Sequence, residues 1–266
     1  MAIPLYLNSS DLDSISLVLR DAVDKVSHAF DKSHEIDIPN AISPHLISKA
    51  LQQFLEVLYR VDHELDFGKK VPGQIEFLSD SMASDKLSSK EITDVGNHGL
   101  QLLDTLCDWA RALKLPYQHS QVRAIMVMVA LWVARHGGEI NSIDSVVNTL
   151  AEVANSTSEQ EALAELCFMM GELINAVPTN SRYDFDNSNK GHPWRVLNFN
   201  RGIIATRSHD TRIMETAFDD LIRNIPEDAE RFFQQGMQQM EELNYPDHVR
   251  KVVSRYYAQS KSRVLH

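Results

Sequence analysis

Apolar residues recur along most of the chain in steps of three and four, the spacing that lays one stripe along an α-helix. Leu12, Ile15, Leu19, Ala22, Val26 and Ala29 form the first stripe, opened by Ser9 or Ser10. Ser43 followed by Pro44 is a cap with a first-turn proline, and the stripe behind it runs through Ile47, Leu51, Phe54, Leu58, Val61 and Leu65 to a stop at Gly68. A short helical turn is expected over 74–80. Ser88 or Ser89 opens a long helix through Ile92, Val95, Leu102, Leu106, Trp109 and Leu113, ended before Pro116. The most apolar run, Ala124 to Ala134, belongs to a core helix of about His119 to His136, which Gly137 and Gly138 close.

The second half repeats the pattern. A helix from Ser142 to about Ala154 carries Ile143, Val146, Val147, Leu150 and Val153 on one face. Ser158 and Glu161 spell a capping box for the next, which presents Leu163, Leu166, Phe168, Met170, Leu173 and Ile174 and ends at Pro178. Asp210 is placed to cap a helix with Ile213, Met214, Ala217, Phe218, Leu221 and Ile225, closed by Pro226. Two more follow, one with Ala229, Phe232, Phe233, Gly236, Met240 and Leu243, the other beginning at Pro246 with Val249, Val252, Val253, Tyr256 and Tyr257. All nine prolines fall at ends or connections, as helix stereochemistry requires.

The predicted fold is all-α. It is a single domain over residues 1–266 with about nine to eleven helices, arranged as an irregular bundle or as stacked antiparallel hairpins around the 124–134 helix. The stretch 178–192 is the candidate point of subdivision. Helix starts show no fixed period, so a regular repeat array is not supported. Gly96, Gly99, Gly171, Gly202 and Gly236 lie inside or beside helical patterns at a cost of about 1 kcal/mol each relative to alanine, and close approach of another backbone is the expected compensation.

Residues 178–212 break the pattern with a long polar stretch, and long connections inside compact domains are uncommon and usually functional or disordered. Its aromatic and apolar content argues against a solvated linker. Residues 195–200 alternate like a short extended piece, while His192-Pro193-Trp194 equally suits the start of a helix through Leu197 and Ile204. Trp194 reads either as an anchor for a partner or as a plug into the helices.

Charge sharpens the interest in this stretch. The chain carries a net charge of −11, which argues against a nucleic-acid partner. Yet 178–212 holds Arg182, Lys190, Arg195, Arg201, Arg207 and Arg212 against Asp184, Asp186 and Asp210. Converging cations of this kind favour an anionic ligand or an acidic surface. The apolar run 124–134 is well short of the roughly twenty residues that span a bilayer, and the start lacks a signal-peptide pattern, so a cytoplasmic protein of bacterial type without membrane contact is expected. Cys107 and Cys167 sit in apolar helical runs and read as core.

No complete catalytic motif is present. The string from Asp184 to Gly191 alternates oxygen-bearing side chains like a calcium loop, but the sixth and twelfth positions are Asn189 and Arg195 instead of glycine and a carboxylate. Glu-x-x-His, Gly-x-Ser-x-Gly and phosphate-binding glycine loops do not occur. No cofactor and no bound metal are expected.

The sequence therefore predicts a non-catalytic interaction or regulatory protein. Its binding residues are Tyr183, Asp184, Asp186, His192, Trp194, Arg195, Arg201, Arg207, His209 and Asp210, which would engage an acidic protein partner or an anionic small molecule. The alternative is a helical metal-dependent hydrolase or small-molecule-binding protein with a pocket near His192, His209 and Asp210, joined by Asp219 or Asp220. Self-association through the helices bearing Met126, Met128, Met169, Met170, Met237 and Met240 is a further option.

Overall fold

A computed structural model describes residues 12–33, 38, 41–67, 87–182 and 191–264. Among them are eleven helices and no strand, so the protein is all-α. The helices divide into two compact units, one ending at Ile140 and the other starting at Asn141.

The first unit contains α1 (Leu12–Lys32), α2 (Pro44–Phe67), α3 (Ser89–Ala112) and α4 (Pro116–Arg135). Leu19, Val26, Ile47, Leu58, Leu102 and Leu106 of its stripes are buried, while Ala29, Val95 and Leu113 are half-buried. Ser88 caps α3 through a complete capping box with Glu91. The short turn 113–115 sends the chain back, and α4 packs against both α3 and α1. Helix α4 begins at Pro116, earlier than His119, because proline is already set for the first helical position. Buried residues surround it on all sides, among them Val127, Val129, Leu131 and Val133. Trp109 is core, as its spacing implies: the ring meets Phe30 edge-on at 5.0 Å and its indole N–H donates to the Ile42 carbonyl at 2.8 Å.

The second unit contains α5 (Asp144–Ser156), α6 (Gln160–Ala176), α7 (Thr179–Arg182), α8 (Pro193–Ser208), α9 (Thr211–Asn224), α10 (Pro226–Glu242) and α11 (Asp247–Val264). Helix α8 packs against α5, α6 and α9, while α11 packs against α9 and α10. Phe218, Phe232, Phe233 and Tyr256 join α9, α10 and α11 through edge-on and tilted ring contacts with centroids 5.0–6.2 Å apart. Helices α6 and α8, on either side of 178–192, belong to this one unit.

Three sequence expectations change. Most of the polar stretch is helix: residues 195–200 are α-helical, not extended, and Pro193 starts α8 at its first position. The stretch reads as polar because α8 buries polar side chains, with Arg195, Asn198, Arg201 and Ser208 all inside. The capping box at Ser158 does not form, since α6 starts at Gln160 behind Glu159 with no side-chain cap. The glycines admit side chains instead of backbones: the Phe54 ring lies over Gly99, the Arg201 guanidinium over Gly171 and the Phe232 ring over Gly202. The turn expected over 74–80 and the caps Ser9 and Ser10 lie outside the described residues.

Candidate functional site

Helix α8 carries Arg195, Arg201 and Arg207, half of the cations that the sequence singles out, and its neighbours decide what each can do. Arg201 is 7% exposed. It pairs with Asp220 of α9 at 2.5 Å and donates through Nε to the Cys167 carbonyl of α6 at 3.2 Å. Arg207 donates to the carbonyls of Ala154 at 2.7 Å and Thr157 at 2.6 Å, so it closes the C-terminal end of α5, where helix carbonyls lack internal partners. Arg182 donates to the carbonyls of Val177 and Asn175. Its guanidinium also sits 6.0 Å over the Trp194 ring. Trp194 is 2% exposed and donates to the Ile174 carbonyl, so it fills the role of plug. These cations bind α8 to α5, α6 and α9 instead of gathering on a surface.

Arg195 differs. It is 6% exposed, and its Nη2 donates to Asp228 of α10, while Nε and Nη1 are buried without a partner among the described residues. An unmade bond of this kind costs about 1–3 kcal/mol, more for a charged group, and an arginine cannot escape by losing its proton. The same side chain lines a pocket of about 330 Å³ between α8 and α10. Helix α8 contributes Arg195, Phe199 and Ile203, and α10 contributes Asp228, Arg231, Phe232 and Gln235. Steps of three and four on each helix put these residues on facing sides. Phe199 and Phe232 lie nearly parallel with centroids 5.9 Å apart. Among the described residues, two guanidiniums against one carboxylate leave the lining with one excess positive charge.

A second pocket of about 280 Å³ adjoins the first and shares Ile203, Phe232 and Gln235 with it. It continues over Phe218, Gly236, Met240, Leu243 and Val253. Ile203 is 47% exposed and Leu243 66% exposed, so apolar surface remains open there.

The remaining candidates are dispersed. Asp210 caps α9, accepting from the amides of Arg212 at 2.8 Å and Ile213 at 3.2 Å. His209 ends α8 in the left-handed region at φ 59°. Its Nδ1 accepts from Gln160 at 3.0 Å, its carbonyl accepts from His248 Nε2 at 3.2 Å, and its ring meets Tyr245 edge-on at 5.3 Å. Burial, and next the neighbouring His248, hold its pKa below the ordinary imidazole value. His192 precedes α8, and its Nδ1 is buried without a partner among the described residues. Tyr183, Asp184 and Asp186 lie outside the described residues, as does most of the calcium-like string.

Asp220 is held by Arg201 and Arg223, and Asp219 accepts from Tyr256. Among the described residues no three His, Cys, Asp or Glu side chains come together as a metal site, so His192, His209, Asp210 and the 219–220 pair do not converge. Burial pushes the Cys107 thiol up to about 12 and the Cys167 thiol up to about 11, which leaves both as weak nucleophiles. No helix among the described residues is long and apolar enough to cross a membrane.

Sequence reading found Arg195 but missed Asp228, Arg231, Phe199 and Phe232. The α10 residues stand at helical spacing in the sequence, but nothing there marks α8 as their partner. No family model, no curated protein and no solved structure matches the chain.

Proposed function

We propose that the protein is a non-catalytic receptor for an anionic ligand, with the ligand's acidic group seated between Arg195 and Arg231. The observation that carries this reading is the buried Arg195 side chain, which lines an open pocket and holds two donor nitrogens without a partner among the described residues. A single excess positive charge suits a monovalent carboxylate better than a phosphate dianion. The parallel Phe199 and Phe232 rings suit an organic anion better than an inorganic one. The lining also favours recognition over chemistry, since Asp228, its one acid among the described residues, is engaged by Arg195.

The test is an NMR titration with phenylacetate and its neutral analogue phenylacetamide. Phenylacetate should shift α8 and α10 resonances at low millimolar concentration, while the amide should not. Arg231→Gln, at an exposed residue that makes no ion pair among the described residues, should weaken phenylacetate at least tenfold without loss of fold. Equal responses to acid and amide, or none to either, would remove this reading.

A further inference from the structure

Resting on the receptor reading above, we infer that the ligand is an alkyl monocarboxylate of medium chain length, its head at Arg195 and its tail in the adjoining pocket. The two pockets adjoin, with Ile203, Phe232 and Gln235 lining both. Formal charge, not polarity, separates the two pockets. Among the described residues, the first pocket presents two guanidiniums and a carboxylate, whereas the second offers Phe218, Met240, Leu243 and Val253 beside the neutral polar Thr206, Gln239 and Tyr245, and its one charged residue, Arg207, is committed to the carbonyls of Ala154 and Thr157. A ligand matching this order has one charge at one end and none along its length.

The dimensions agree. From Arg195 to Thr206 helix α8 rises about 16 Å, the length of an extended alkyl chain of roughly a dozen carbons. Gly236 keeps the second pocket open, since a β-carbon there would meet nothing closer than the Val253 side chain at 3.5 Å, an ordinary contact. A side chain at 236 therefore starts into the tail space without a clash at its β-carbon, and leucine is the better helix former. The open Ile203 and Leu243 side chains give the tail apolar surface to cover, the gain that drives its binding.

Calorimetry of the intact protein with butanoate, hexanoate, octanoate, decanoate and dodecanoate, each below its micelle concentration, tests the inference. Beyond hexanoate, affinity should rise about fourfold per methylene. Gly236→Leu should leave butanoate unchanged and weaken decanoate at least tenfold. Leu243→Ser, at an exposed position with little bearing on folding, should weaken decanoate in the same direction. Decanol should bind at least tenfold more weakly than decanoate. A series that stays flat while the short acids still bind would overturn the tail assignment and leave the receptor reading standing. Decanol binding as tightly as decanoate would overturn the head-and-tail order, and failure of every acid to bind would remove both.

Discussion

Arg201 lies directly over Gly171, its guanidinium carbon 3.0 Å from the point where a β-carbon at position 171 would stand. The side chain cannot swing aside cheaply, because Asp220 and the Cys167 carbonyl hold it from two directions. Alanine in place of glycine ordinarily favours a helix by about 1 kcal/mol, but crowding a packed interior costs about 1–3 kcal/mol. Gly171→Ala is expected to lower stability by about 1–2 kcal/mol in urea denaturation with the m-value unchanged. A more stable variant would mean that the α6–α8 crossing has slack.

The same relationship explains why α8 was hard to read. Helix α9 is plain in the sequence because its cap, Asp210, and its apolar stripe are local. Helix α8 has no such stripe, since Arg195, Asn198 and Arg201 are buried along with Trp194 and Leu197. Their partners, Asp228, Asn224 and Asp220, come from helices that only the fold brings near. A polar helix buried among its partners and a polar loop have similar composition, and composition alone does not part them. For the same reason the positive charge after Pro178 was visible while its use was not: Arg201 and Arg207 bond inward, and Arg195 alone of the three also lines the pocket between α8 and α10.

Removal of the Asp228 carboxylate separates structural from binding roles. Asp228→Asn leaves the Arg195 charge buried without its counter-ion, which should cost about 3 kcal/mol of stability. The ligand's carboxylate then supplies the missing charge. Thermal unfolding with and without saturating octanoate should therefore show a larger ligand-induced rise in Tm for the variant than for the wild type. An equal or smaller rise would separate Arg195 from ligand binding.

Acid should weaken the fold through His209. Its folded pKa lies below the ordinary value of 6.5, through burial first and His248 second. As pH falls through that ordinary value the unfolded chain takes up a proton that the native state does not, so stability drops. The loss stops growing once pH falls below the folded pKa, where both states carry the proton. His209→Asn keeps a residue type that tolerates the left-handed backbone and should show a smaller fall in urea midpoint between about pH 7.5 and about pH 5.5. An undiminished fall would place the acid sensitivity elsewhere.

Both thiols should be silent in the native protein. With burial raising Cys107 to about 12 and Cys167 to about 11, a thiol reagent at about pH 8 should label neither in the folded state and both after denaturation. Labelling of Cys167 at the native rate of an exposed thiol would show that α6 and α8 part readily.

The most direct measurement is the ¹⁵N–¹H resonance of Arg195 Nε, assigned by its loss in Arg195→Lys, during titration with octanoate. Nε is buried and without a partner among the described residues, so a carboxylate that engages it should move the proton downfield and slow its exchange with water. A resonance that stays in place while octanoate binds, or while octanoate fails to bind at millimolar concentration, would contradict an acid-binding role for Arg195.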